Sequence, residues 1–278
     1  MYYHLFFSHL HISFLNYIFA QNKNKDFNME KINLRIIQYL KDAQSKIEEK
    51  IECIAQTNSL TNGDSSFPIY DGVGNIKEYL LSKPRIACLL KEPWDEIVDG
   101  KAQGGGWSMC DLFKQQNQNW PILTWQRVIY TVYGLRNNLK YMEMDYIRDD
   151  RSMGEVLRSI AWINLNKMPA KKRSDQTYIE NFIKYWKDIV KEQLKIYSPD
   201  VILCGKVFGA CREILFPQAK LLHAIPGKEN MQDIVIYSND KTLLFDVAHP
   251  GIIGKSHEAI GYYIDSINEA IRTLWIND

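Results

Sequence analysis

Cysteine is scarce in this chain, and its spacing suits neither a disulfide framework nor a metal centre. Five cysteines occur among the 278 residues, an odd number, and no Cys-x-x-Cys pair is present. That pattern argues against disulfide-stapled scaffolds and against cysteine-ligated metals or clusters, and it fits a reducing compartment. We therefore expect a cytoplasmic protein that carries no metal and no other cofactor.

The sequence also lacks an excess of charge of either sign. It has 34 basic residues (Lys and Arg) against 33 acidic ones, a net charge of +1. The field of the whole molecule therefore does not attract nucleic acid, and an anion site has to come from a local basic cluster. The G-x-S-x-G, P-loop and G-x-G-x-x-G motifs are absent too, which disfavours the hydrolases and nucleotide-binding enzymes built around them.

Size and composition are those of a globular protein. Hydrophobic residues make up 46% of the chain, and the length allows one large domain or two small ones. We divide it into a doubtful extension (residues 1–28), a helical segment with a loop (29–75) and an α/β domain (76–278). The apolar stretch Met1 to Ala20 allows a secretory signal, a membrane anchor or an upstream mis-start. The helical pattern that begins at Met29 favours the last interpretation.

Apolar patterns predict short strands that alternate with helices. The predicted strands are residues 85–90, 160–165, 200–205, 221–225, 234–237 and 243–247. The predicted helices are residues 29–57, 76–81, 153–159, 174–197, 205–215 and 256–274. Residues 57–74 have the composition of a loop, residues 128–133 suit either a strand or a helix that starts after Thr124, and residues 141–151 show no clear pattern.

Strands alternating with long helices predict an α/β fold. We expect three layers, α/β/α, around a central, mostly parallel four-stranded sheet. Distinctive residues stand where four predicted strands end: Glu92, Asn164, Gly205 and His249. Ligands of such sheets bind beyond the carboxyl ends of the strands, so we expect a site at this edge.

The motifs at these strand ends resemble those of the uracil-DNA glycosylase superfamily, across residues 85–274. The turn K-E-P-W (91–94) is similar to the family's G-x-D-P or G-E-A-P turn. The stretch A-Q-G-G-G-W-S (102–108) is similar to its Q-A-x-G-L-x-F-S segment. N-L-N-K (164–167) matches its N-x-x-K, and H-P-G (249–251) is similar to its H-P-S motif.

The resemblance implies a DNA glycosylase that hydrolyses the N-glycosidic bond of uracil or another damaged base after flipping it from the strand. It implies that Glu92 holds the attacking water and stabilises the sugar cation, and that His249 stabilises the base anion. Trp107 would stack on the base, Asn164 would read its edge, and Trp94 would line the pocket.

The resemblance also implies a DNA-binding surface. Ile252 and Ile253 would enter the strand as an apolar wedge. Phosphates would be held by basic side chains, namely Lys167, Lys171, Lys172, Arg173 and Lys255. The expected partner is single- or double-stranded DNA, with no membrane and a monomeric protein.

Departures from the family pattern motivate two other hypotheses. Lys91 replaces a glycine, Glu92 replaces Asp or Asn and is one methylene longer, and Gly251 replaces a serine. The alternative is a catalytically silent protein of the same fold that binds a nucleobase, nucleotide or nucleic acid. A third hypothesis is an unrelated doubly wound enzyme. Each proposed site residue also has an ordinary structural interpretation, such as a turn, a core position or a cap.

Overall fold

The computed structural model describes residues 34–60, 67–95, 97–98, 101–102, 104–115, 120–169, 176–252, 254 and 256–275. Several predictions fall outside these residues. They concern the extension 1–28, the basic cluster Lys171, Lys172 and Arg173, and the side chains of Ile253 and Lys255.

Strands and helices alternate along the described chain. The helices are α1 Leu34–Thr57, α2 Ile76–Leu81, α3 Met109–Lys114, α4 Leu123–Asn137, α5 Gln176–Tyr197, α6 Phe208–Leu215 and α7 His257–Leu274. The strands are β1 Ile86–Leu90, β2 Ile97–Val98, β3 Lys101–Ala102, β4 Ala161–Asn164, β5 Val201–Gly205, β6 Lys220–Ile225, β7 Ile234–Asn239 and β8 Thr242–Val247. Short 3₁₀ helices span Tyr141–Glu143, Arg151–Ser159 and Pro250–Ile252.

The main sheet has six strands in the order β4-β1-β5-β8-β7-β6. The neighbours β4, β1, β5 and β8 are parallel, whereas β7 pairs antiparallel with β8 and β6 pairs antiparallel with β7. The α/β class is thus confirmed, but the expected four-stranded sheet is wrong: the sheet is mixed and has six strands. Short connections explain the difference, because a two-residue turn at Asp240 and Lys241 joins β7 to β8 and such turns join only antiparallel strands.

Alternate residues of the central strands belong to two separate cores. From β1, Ile86, Cys88 and Leu90 pack with α3, α4 and α7. Ala87 and Leu89 of β1 pack on the other face with α1, α2, α5 and α6. Helices therefore cover both faces, and each central strand is buried along its whole length. This is why these strands are continuous apolar runs in the sequence.

The ambiguous stretch 128–133 is helical, within α4. Its β-branched residues would suit a strand, but the segment is enclosed on most sides, and Val128, Ile129 and Val132 are buried. Helical backbone bonds satisfy all of its buried amides without a partner strand, so packing overrides the β propensity. Among the described residues, no helix has both the length and the apolar character needed to cross a membrane.

Candidate functional site

Four parallel strands end at the same level of the sheet. Leu90 of β1 lies opposite Asn164 of β4, and Gly205 of β5 lies opposite Val247 of β8. Across the strands β4, β1, β5 and β8, this edge therefore carries Asn164, Glu92, Lys206 and His249 in that order. With strands about 4.8 Å apart, Glu92 and His249 follow strands whose axes are separated by roughly 10 Å.

Gly205 lets the strand ends approach each other closely. A Cβ atom at this position would lie 2.5 Å from Leu90 Cδ2 and 3.0 Å from Pro250 Cδ. A side chain here would have to displace the end of the Leu90 side chain and press against the Pro250 ring. The glycine at the end of β5 is therefore a packing requirement of the site edge.

His249 is held as a neutral imidazole. Burial, together with the smaller effect of the positive charges of Lys91 and Lys206, lowers its pKa to about 4. Its Nδ1 atom accepts a hydrogen bond of 3.1 Å from the Gly251 N–H. Since Nδ1 is an acceptor, the proton of the neutral ring lies on Nε2. Near neutral pH, His249 can therefore donate a hydrogen bond from Nε2 without carrying a charge.

Lys206 is a site residue that the sequence reasoning missed. It is exposed and follows β5 directly, and its backbone adopts a left-handed φ of 57°. Its N–H donates to the Val247 carbonyl at 2.7 Å, which fixes this unusual conformation against β8. A left-handed lysine costs about 1–2 kcal/mol, and such strain is found preferentially at functional sites.

Asn164 lies at the expected strand end but is enclosed. Its residue surface is only 1% exposed. The side-chain Nδ2 donates to the Met109 sulfur at 3.5 Å. A thioether is a weak acceptor, so an incoming carbonyl oxygen would replace it at little cost.

The K-E-P-W turn is tied to the exit of β4. The Leu165 N–H donates to Leu90 and the Asn166 N–H donates to Lys91, both at 2.8 Å. Pro93 is buried and prevents a helix from forming here. Glu92 is half-buried with its Oε2 atom enclosed. These bonds therefore hold the backbone of the turn that carries Glu92 next to the strand end that carries Asn164.

Asp95 organises the glycine loop that precedes Trp107. Its Oδ2 atom accepts the N–H groups of Gly104 at 2.7 Å and Gly105 at 3.1 Å. Its Oδ1 atom accepts the Trp107 indole N–H at 3.3 Å. Trp107 is partly buried and packs against the core. A carboxylate one residue after Trp94 thus orients both the loop and the ring expected to stack on a base.

The segment Phe67–Asp71, predicted as a loop, connects two parts of the site. On one side the Tyr70 N–H donates to Trp107 and the Met109 N–H donates to Tyr70, both at 2.9 Å. On the other side the Ile69 N–H donates to Lys167 at 2.9 Å. The segment is not a regular strand or helix, but it fixes the Trp107 loop relative to the exit of β4.

Asp71 and Lys167 form a buried ion pair, which contradicts the expected phosphate contact. Lys167 is 0% exposed. Its amine contacts both Asp71 oxygens, at 2.8 and 2.9 Å, and Gln193 Oε1 at 2.8 Å. Asp71 also accepts the Asn164 N–H at 2.6 Å and a bond from Gln193. Lys167 therefore holds the end of β4 in place from inside, with its pKa lowered by burial.

The remaining predicted residues are placed as follows. Ile252 is 55% exposed in the short helix after His249, as a wedge residue requires. Trp94 is also exposed, so it lies at the rim and not inside a pocket. Among the described residues, no group of three or more His, Cys, Asp or Glu side chains could hold a metal ion.

Comparison of the sequence with protein-family models and with curated proteins gives no match.

The missed residues share one property. Asp71, Asp95 and Lys206 act through backbone amides or charges on other segments, and Asp71 lies 96 residues from its Lys167 partner. The only local signal is the position of Asp95 directly after the K-E-P-W turn.

Proposed function

We propose that the protein is a DNA glycosylase-like hydrolase that cleaves the N-glycosidic bond of uracil or another damaged base. The observation that carries this proposal is the pairing, at one sheet edge, of the Glu92 carboxylate with a neutral His249. The strands that they follow, β1 and β8, are separated by one strand, so the strand axes lie roughly 10 Å apart. The reaction develops positive charge on the sugar and negative charge on the base. A carboxylate can stabilise the first, and a hydrogen-bond donor such as the His249 Nε2–H can stabilise the second.

In the proposed step, the bond between sugar C1′ and the base nitrogen breaks and its electron pair leaves with the base. Positive charge develops on the sugar, next to the Glu92 carboxylate. A water oxygen bonds to C1′, and Glu92 takes the proton that this water releases. The Nε2–H of His249 donates a hydrogen bond to the carbonyl oxygen of the leaving base, which stabilises its negative charge.

The base itself would lie between Trp107 and Asn164. The indole is fixed through its N–H by Asp95, so its ring is pre-oriented. The Asn164 amide exchanges its weak bond to sulfur for a stronger one to a base carbonyl. Binding therefore needs a local adjustment at Met109. Lys206 and Lys91, which lie near enough to His249 to lower its pKa, supply positive charge for a flanking phosphate.

Base release tests the proposal. Labelled oligonucleotides carrying uracil, hypoxanthine or a mismatch are incubated with the protein, and alkali then cleaves at abasic sites. We expect strand cleavage with one of these bases. The isosteric change Glu92→Gln and the change His249→Asn each should slow base release by at least about 100-fold, the usual contribution of a general base or an anion-stabilising donor.

Two exposed residues away from the edge serve as matched controls. Glu213→Gln on α6 and His223→Asn on β6 make the same chemical changes at exposed positions. Both controls should release base at the unmodified rate. An unmodified protein that leaves every substrate intact would overturn the proposal.

A second candidate function is a catalytically silent protein that binds a nucleobase or nucleic acid at the same edge. The enclosed Asn164 favours it, since a closed site is compatible with slow or absent turnover. Binding of free uracil or of an undamaged strand, together with no abasic product, would support this candidate.

A further inference from the structure

Two large aromatic side chains are exposed at the rim of the glycine loop. Phe67 is 53% exposed and Trp94 is 58% exposed. Within the described part of the chain, neither ring stacks on another ring or on a cation. A single exposed aromatic residue needs no explanation, but two beside a candidate site indicate a binding surface.

Hydrogen bonds connect Gly104 to both chain segments, through the Phe67 backbone in one case and the Asp95 carboxylate in the other. The Phe67 N–H donates to the Gly104 carbonyl at 3.0 Å. The Gly104 N–H donates to Asp95, the residue directly after Trp94, at 2.7 Å. One glycine therefore joins the chain segments that carry both rings.

Buried prolines hold both aromatic residues in position. Pro68 follows Phe67 and Pro93 precedes Trp94, and both prolines are buried. Each fixes its own φ and restricts the residue before it. The backbones that carry the two rings are therefore largely ordered before a ligand arrives, which reduces the entropy cost of binding.

The loop beside the two aromatic residues consists of glycines, which carry no side chains. Gly104, Gly105 and Gly106 have φ values of 92°, 80° and 79°. A Cβ atom on Gly104 would meet nothing within 4 Å. The open space at Gly104, in a loop bonded to the chain segments that carry both rings, admits a planar group at close range.

Unpaired bases are the planar groups that suit this surface. Every base offers a π-face for stacking on aromatic side chains, so such contacts are tolerant of sequence. In a duplex these faces are already covered by neighbouring bases. With a net charge of only +1, long-range attraction to phosphates is weak, so stacking has to supply a larger share of the affinity.

We propose that Phe67 and Trp94 form a stacking platform for unpaired bases of single-stranded DNA beside the Glu92–His249 edge. This inference rests on the proposed function, because it names the form of DNA that the same site would receive. Bases that flank the target would stack on the platform while the target base enters between Trp107 and Asn164.

Fluorescence anisotropy with a short, undamaged, labelled strand tests the platform. The same strand annealed to its complement gives the duplex comparison. We expect tighter binding of the single strand, and an affinity lowered about tenfold by each of Phe67→Ala and Trp94→Ala, the loss of roughly one stacked base. Trp94→Phe should retain most of the affinity, since it keeps an aromatic face.

The control Leu221→Ala removes an equally exposed apolar side chain from β6, four strands away in the sheet from β1. It should leave the affinity unchanged. Equal affinity for duplex and single strand, or unchanged affinity in both alanine variants, would overturn the platform. Because undamaged DNA needs no excision, a protein that binds through the platform but releases no base would contradict only the proposed reaction.

Discussion

At the residue scale, the pKa of His249 links the site to the pH dependence of stability. Its folded pKa of about 4 lies below the ordinary value of 6.5, chiefly because of burial. The unfolded chain therefore binds the extra proton first as the pH falls. The contribution of the neutral His249 ring to the free energy of unfolding is fully present above pH 6.5. It is lost progressively as the pH falls to about 4.

The expected loss between about pH 7 and about pH 4.5 is of the order of 2–3 kcal/mol, since each pKa unit corresponds to 1.36 kcal/mol. His249→Asn should lose that much less stability over the same interval, because the variant has no ring to protonate. Urea unfolding at both pH values measures the difference, and other titrating groups cancel between the two proteins. Identical pH dependence in both proteins would show that His249 is not held neutral by the fold.

The buried Asp71–Lys167 ion pair allows a second prediction, on the stability of variants that break it. Asp71→Asn leaves the Lys167 amine buried without its counter-charge, so we expect a loss of about 3–5 kcal/mol in the free energy of unfolding. Adding Lys167→Met removes the stranded charge and keeps an oxygen at position 71 to accept the Asn164 N–H. Chemical denaturation should find the double variant more stable than Asp71→Asn alone. A double variant that is less stable would contradict the account of this pair.

At the element scale, alanine substitutions in the glycine loop distinguish the cost of a left-handed backbone from the cost of a steric overlap. Gly104 and Gly105 both have positive φ, but a Cβ on Gly105 would overlap the Phe67 carbonyl oxygen, whereas a Cβ on Gly104 meets open space. Gly104→Ala should cost about 1–2 kcal/mol, the left-handed backbone penalty alone. Gly105→Ala should cost more, because the Phe67–Asp71 segment must move. Thermal denaturation of the two variants measures which one loses more stability. An equal loss of stability in both would contradict the predicted overlap at Gly105.

Most elements could be predicted from the sequence because their apolar spacing is local. The strands at 85–90, 160–165 and 243–247 and the helices at 174–197 and 256–274 are confirmed within a few residues. The sheet could not be predicted in full, since the pairing of β7 with β8 and of β6 with β7 depends on turn geometry. The local pattern of the stretch 128–133 suits both a strand and a helix, and its burial on most sides, a property of the tertiary structure, decides for the helix.

The site could be predicted only in part. The strand-end residues Glu92, Asn164 and His249 follow from topology, because parallel strands bring their carboxyl ends together. The burial of Lys167 does not follow, since its partners Asp71 and Gln193 are distant in sequence. Long-range ion pairs leave no periodic signal in the sequence, so the local pattern around Lys167 predicts an exposed cation.

At the scale of the whole molecule, the near-zero net charge predicts weak salt dependence of DNA binding. Two cations, Lys91 and Lys206, lie near His249, and each phosphate neutralised on a single strand contributes a slope of about −0.7 in log K against log salt. We expect a slope of about −1.4, and about −0.7 for Lys206→Ala. Anisotropy titrations over a range of salt concentrations measure it. A much steeper slope would mean that basic residues elsewhere dominate binding.

The central claim is that Glu92 and His249 act on one base at the carboxyl edge of the sheet. Single-turnover base release near pH 7, with the protein in excess over a labelled single strand, tests it most directly. The account predicts abasic product from the unmodified protein, a rate at least about 100-fold lower in both Glu92→Gln and His249→Asn, and an unchanged rate in Glu213→Gln. Product formed equally by all four proteins, or by none of them, would contradict it.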